Sequence, residues 1–186
     1  MISFENSAFV CLVVINLIGF ISCFVIMSKS ALKKNFLKMP KPFRKADVLI
    51  FFGAPMFGLP LVPQPRFEPS YVIFIIGIIL ALLSALIGIL AFKEIGIIPS
   101  VKQKSKVISS GIYSIVRHPI YIGNILMPLG LALAFRAVYA LLYVPVIIIL
   151  FAVTIFIEEK TLTEEYGEEY IEYKRKVKWR LIPRVI

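Results

Sequence analysis

Charge is scarce along these 186 residues: Asp, Glu, Lys and Arg together make up 17% of the chain, while 59% of positions are hydrophobic. A globular domain in water carries roughly a quarter charged residues. The scarcity excludes an ordinary soluble domain and selects lipid as the solvent. Acidic residues are the scarcer sign, 11 against 21 basic ones, which leaves a formal charge of +10. That excess does not indicate nucleic acid, because Lys and Arg flank apolar runs instead of forming one basic face. Histidine occurs once and cysteine twice. Cys11 and Cys23 stand far apart within one apolar run, a spacing that offers neither a metal site nor a redox motif. They are read as packing residues. Basic residues are also missing ahead of that run, where Glu5 stands instead, so it does not begin as a secretory signal does and is expected to remain as a helix.

The apolar runs themselves predict an all-α, polytopic membrane protein of one domain, residues 1–186. About five transmembrane helices are expected, over 8–27, 46–62, 71–92, 119–135 and 137–157, each near the ~20 residues that cross a hydrocarbon core. The second is short and carries Pro55 and Pro60, which remove donors and kink a helix. Pro63, Pro65 and Pro69 mark a turn, Pro119 suits a first helical position, and Arg136 marks the last turn. Residues 28–47, 93–118 and 158–186 hold seven, five and seven of the basic residues, and the intervening loops hold Arg66 and Arg136 alone. The positive-inside rule places the basic side in the cytosol, with the N-terminus outside and a helical C-terminal tail inside. Dropping the second helix would put basic loops on both sides, so the charge pattern supports five crossings.

Two constellations with chemical potential fall on that cytosolic side. The first is the segment from Val107 and Ile108 through Gly111-Ile112-Tyr113 to Arg117-His118-Pro119-Ile120-Tyr121-Ile122-Gly123, which opens the fourth helix and contains the sole histidine. If His118 caps that helix, the unpaired N–H groups favour a bound anion and keep the imidazole neutral. Tyr113 and Tyr121 offer ring faces to a cation. A plainer assignment stands beside this one: Arg117 snorkels to headgroups, Pro119 merely starts a helix, and the tyrosines form an interfacial belt. The second constellation begins at Glu158-Glu159, where the fifth helix leaves the membrane. Leu162, Tyr166, Tyr170, Tyr173 and Val177 recur at helical spacing, so the tail is expected to dock through that stripe. Glu164, Glu165, Glu168, Glu169 and Glu172 read as a solvated face, with Glu172 paired to Lys176. Glu158 and Glu159 stand apart, because a charge at the membrane boundary is costlier to hide.

Gly111-Ile112-Tyr113, Arg117-His118-Pro119-Ile120-Tyr121-Ile122-Gly123, then Glu158-Glu159 with Leu162, Tyr166-Gly167, Tyr170, Tyr173 and Pro183 together resemble the isoprenylcysteine carboxyl methyltransferase and phospholipid methyltransferase superfamily. The resemblance covers roughly residues 70–186. It implies a cofactor, S-adenosyl-L-methionine, held on the cytosolic side by residues 105–123 and 154–183. Carried over by position, Ser105, Lys106, Val107, Ile108, Tyr113, His118, Pro119, Ile120 and Tyr121 line the cofactor pocket. Glu158 lies at its edge, and Glu158 and Glu159 are the candidate catalytic carboxylates. Methyl transfer is an in-line displacement that needs alignment and desolvation more than a protein nucleophile, so the lack of a catalytic triad is no objection.

One position departs from the pattern. Members that methylate prenylcysteine carboxylates carry an Arg one helical turn before the first glutamate, where this chain has Thr154, and a carboxylate acceptor thereby loses its evident partner. The expected acceptor is lipid-like or prenylated and enters sideways from the bilayer. A phospholipid amine and a small thiol are the alternatives within methyl transfer. A non-catalytic membrane protein that binds anionic lipid or a partner through its basic segments is the alternative outside it.

Overall fold

The computed structural model describes residues 4–28, 53–95 and 107–183, and everything below concerns those residues. They form helices α1 (Phe4–Ser28), α2 (Ala54–Gly58), α3 (Tyr71–Ile95), a 3-10 turn (Gly111–Ser114), α4 (Pro119–Ala134), α5 (Val138–Tyr166) and α6 (Glu168–Lys176). Among the described residues the only strand-like pairing is an isolated bridge from Arg66 to Ala137. The all-α expectation holds. Three of these helices are long and apolar enough to cross a membrane: α1 over Ser7–Ile26, α3 over Tyr71–Glu94, and α5. α4 has 16 residues and carries Pro128 in its interior. At 1.5 Å per residue it spans roughly 24 Å, just short of a typical hydrocarbon core. Of the expected second crossing, residues 46–52 lie outside the described residues. Its described part is the short α2, with Pro55 in its first turn and Pro60 just beyond its end.

α1 and α5 run parallel. Phe9 lies against Tyr139 and Tyr143, the Tyr143 hydroxyl donates to Asn16 Oδ1 at 3.2 Å, and Phe20 meets the edge of Phe151 at 5.1 Å. A buried polar pair such as Asn16 with Tyr143 ties helices together where water cannot compete. Cys11, expected to pack, is instead exposed on the outer surface of α1, and neither cysteine forms a disulfide. The 3.6-residue period simply carries position 11 to the face away from α5.

α3 and α4 pack antiparallel at very short range because small residues line their seam. A Cβ on Gly77 would meet Gly130 O and Ala134 N at 2.6 Å, one on Gly130 would meet Gly77 O at 2.6 Å, and the Ser84 hydroxyl donates to Gly123 O at 2.7 Å. Without a hydrophobic drive between helices in lipid, close backbone contact of this kind supplies the attraction. The outward face of α3 is a row of exposed Ile, Leu and Phe, as a lipid-facing helix demands.

The turns separate into two ends. At one, Arg66 donates to Pro60 O and Phe135 O, Gln64 Oε1 receives Ala140 N–H, and Phe67 N–H reaches Arg136 O. Arg136 itself adopts φ 57°, closing the tight α4 to α5 turn. At the other end lie Glu94, which accepts from Ser110 at 2.6 Å, the start of α4, and the end of α5. The two isolated arginines thus sit opposite the described basic clusters. α5 has 29 residues, about 43 Å, so its last turns extend past a ~30 Å core. Those turns carry Glu158 and Glu159.

Candidate active site

Four elements deliver the side chains that meet at that end: the 107–118 segment, the first turn of α4, the last turns of α5, and the segment after α6. α5 is broken by Gly167, whose φ of 57° glycine adopts without the steric cost a Cβ would bring. α6 folds back behind this break. Tyr170, Tyr173 and Val177 form a buried cluster with Val107, Leu162 and Tyr166, so the stripe expected of the tail docks as its spacing indicated. The Tyr173 hydroxyl donates to Tyr113 O at 2.8 Å, and Val107 N–H donates to Glu169 Oε1 at 2.8 Å. Burial pushes the Tyr173 hydroxyl up to about 12, and burial with the nearby Glu158 charge raises Tyr113 further, so both phenols stay protonated donors.

His118 occupies the N-cap position of α4, yet its side chain makes no capping bond. Its ring is engaged elsewhere: Nδ1 faces Glu158 Oε2 at 3.3 Å and Nε2 faces Glu159 Oε1 at 3.4 Å. Two carboxylates on two ring nitrogens call for two donors, which only the imidazolium provides. Burial opposes the charge, but hydrogen bonding to Glu158 and Glu159 outweighs it and raises the pKa above 6.5. The neutral imidazole expected from helix capping is therefore corrected to a charged one. Because the folded value is the higher one, the stabilisation is complete below about pH 6.5 and lost as pH rises through the folded pKa. The difference in thermal midpoint between wild type and His118→Gln should accordingly shrink as pH rises above about 6.5; a gap that stays flat or widens would contradict the charged ring.

The Tyr121 hydroxyl donates to Glu158 Oε2 at 2.8 Å, and its ring is sandwiched, with His118 stacked at 5.5 Å and Phe151 at 5.0 Å. Pro119 is buried and Ile120 half-buried in the same turn. Arg117 does not snorkel. It is buried, with Nε and an η nitrogen each 2.7 Å from Glu159 Oε1, and its other η nitrogen donates to Val177 O and Lys178 O. Arg180 reaches Glu159 Oε2 at 3.2 Å. Thr154 is buried one turn before Glu158 and donates to Leu150 O at 2.8 Å, so it contributes no charge.

His118, Pro119, Ile120, Tyr121, Glu158 and Glu159 thus come together, with Tyr113 beside them. Val107 packs into the tyrosine cluster of α6, and Ile108 next to it is half-buried. Ser105 and Lys106 fall outside the described residues. Glu164, Glu165, Glu168, Glu169 and Glu172 are exposed, as a solvated face should be, and the ion pair seen on α6 joins Glu168 to Arg175. Sequence reasoning passed over Arg180, which no spacing distinguishes from its basic neighbours. It also passed over the Tyr170 hydroxyl, the one buried side-chain polar atom among the described residues with no hydrogen-bond partner. No group of His, Cys, Asp or Glu among those residues suits a metal ion.

Two comparisons with known proteins bear on the chain. A Delta(14)-sterol reductase of Methylotuvimicrobium alcaliphilum is 30% identical over 90 residues, 45% of this chain and 20% of that protein, so the chain spans about a fifth of the length of the curated relative it matches. The family model for phospholipid methyltransferases matches residues 72–169, which takes in α3, α4, α5 and both halves of the charged cluster. With more than half of its length matched, the chain belongs to the phospholipid methyltransferase family, a family of membrane methyltransferases.

Proposed function

We propose that the protein is an S-adenosylmethionine-dependent methyltransferase of five membrane crossings, with the site on the cytosolic side and the N-terminus outside, acting on an apolar acceptor that arrives through the bilayer. The observation that carries this reading is the convergence of His118, Tyr121 and Glu158, from two distant sequence blocks, within hydrogen-bond reach at one helix start.

The residues present fit such a cofactor. Tyr170 holds a buried, unpartnered hydroxyl beside the charged cluster, a donor that a carboxylate or ribose oxygen would satisfy. Glu158 keeps 30% of its side chain exposed and suits a cationic group. Bound there, S-adenosylmethionine supplies an electrophilic methyl on a sulfonium. The chain's part is to orient and to dry the site: Tyr121, stacked with His118 and Phe151, fixes Glu158 through its hydroxyl, and the tail cluster closes the outer side. Among the described cations of the cluster, Arg117 and Arg180 are engaged by Glu159 and the His118 ring by Glu158 and Glu159, while Thr154 is neutral. A carboxylate acceptor therefore finds no ready partner, which favours an amine or thiol nucleophile on a lipid-like body.

Calorimetry on purified protein should detect S-adenosylhomocysteine, and a ligand at about a hundred times its Kd should add about 2.7 kcal/mol of stability. His118→Ala and Tyr121→Phe should weaken binding. Labelled methyl then appears in base-labile ester, lipid headgroup or thioether according to the acceptor. The sterol reductase match favours a second reading, hydride transfer to an apolar ring system. Stabilisation by a nicotinamide dinucleotide with none by S-adenosylhomocysteine would support that reading and end the first.

A further inference from the structure

We propose that Arg117 and Glu159 are positioning residues: their buried ion pair latches residues 177–180 as a strap across the start of α4, leaving Glu158 as the carboxylate a ligand meets. The ligand half of this inference rests on the methyl-transfer reading; the latch is a property of the chain alone.

The two adjacent glutamates differ in what they have left to offer. Glu159 receives Arg117 on Oε1 and Arg180 on Oε2, faces His118 as well, and retains only 9% side-chain exposure. Its bonding capacity is occupied within the chain. Among the described residues Glu158 bonds to Tyr121 and His118, and it remains 30% exposed. Being neighbours on a helix, they point about 100° apart, and one faces the strap while the other faces the aromatic wall.

The strap is bound through its backbone. Arg117 N–H donates to Trp179 O and His118 N–H to Arg180 O, both at 2.9 Å. The Arg117 guanidinium adds bonds to Val177 O at 2.6 Å and Lys178 O at 2.9 Å. These contacts hold His118 in a non-helical backbone conformation, φ −126° and ψ 58°, from which its ring lies between the two carboxylates. A planar guanidinium is the side chain able to join one carboxylate and two carbonyls at once. The family match ends at residue 169, so it takes in Arg117 and Glu159 but not the strap they hold.

The chain's single tryptophan, Trp179, lies in the strap and reports on it. Acrylamide quenching of its fluorescence should be measured on the full chain in lipid nanodiscs, alongside S-adenosylhomocysteine binding. Glu159→Gln should raise the quenching and weaken binding by about tenfold or more, the scale of a lost charge-assisted hydrogen bond. Glu159→Asp, which keeps the carboxylate, should recover part of both. Arg180→Gln, at the exposed edge of the latch, should raise quenching to a smaller degree and serves if Glu159→Gln does not fold. Glu158→Gln should weaken binding while Trp179 stays as protected as in wild type. Unchanged quenching in Glu159→Gln and Arg180→Gln, or an equal rise in Glu158→Gln, overturns the proposal. Wild type that binds no S-adenosylhomocysteine while the quenching pattern holds would remove the methyl-transfer reading and keep the latch.

Discussion

Arg117→Ala should destabilise the protein by about 3–5 kcal/mol, the cost of leaving a buried carboxylate without its partner. The side chain is 6% exposed and Glu159 9%, so solvent cannot take over the lost bonds. Arg180 and His118 remain to Glu159, but the Arg180 side chain is 34% exposed and reaches one oxygen at 3.2 Å, and the His118 ring stands 3.4 Å from the other and is shared with Glu158. Two strap carbonyls, on Val177 and Lys178, lose their donor as well. The measurement is thermal or denaturant unfolding in one detergent, with Arg175→Ala as reference. The pair of Arg175 with Glu168 has side chains 73% and 69% exposed, and exposed pairs contribute little. Equal behaviour of the two variants would show that burial of the Arg117 pair has been overstated.

This dominance of Arg117 was only half legible in the sequence. The apolar runs announced α1, α3 and α5, because a chain in lipid must satisfy its backbone within helices and so writes long uninterrupted stretches. α3 ends at Ile95 and α5 at Tyr166, beyond the ends expected at residues 92 and 157, since helical hydrogen bonding continues past the point where hydropathy changes. Period analysis also found the docking stripe from Leu162 to Val177, though not the break at Gly167. Pairings across the fold left no such trace. Nothing local in Arg117-His118 distinguishes an arginine that snorkels from one that turns inward to Glu159. Nor does the helix start reveal that carboxylates from α5 will charge its histidine, because that proximity arises only when the two blocks are packed together.

The second large effect is expected far from the charged cluster, at Gly130. A methyl placed there would lie 2.6 Å from Gly77 O and 2.7 Å from Ala81 N, both backbone atoms of a helix, and neither can yield as a side-chain tip would. Gly130→Val must therefore push α3 and α4 apart. Overpacking of this sort costs about 1–3 kcal/mol, and the loss of the Ser84 to Gly123 hydrogen bond along the same seam adds to it. The consequence reaches the site because α4 carries Pro119 to Tyr121 at its start, roughly 14 Å along the helix from Gly130. A tilt of α4 shifts Tyr121 away from Glu158, so Gly130→Val should lower both the thermal midpoint and ligand affinity. Gly88 provides the control on the same helix as Gly77. A Cβ there meets nothing within 4 Å. Gly88→Ala should leave affinity untouched and stability equal or slightly higher, as alanine favours a helix over glycine. If Gly88→Ala proved as damaging as Gly130→Val, the cause would be loss of glycine as such, and the close α3 to α4 seam would not be what holds the site in place.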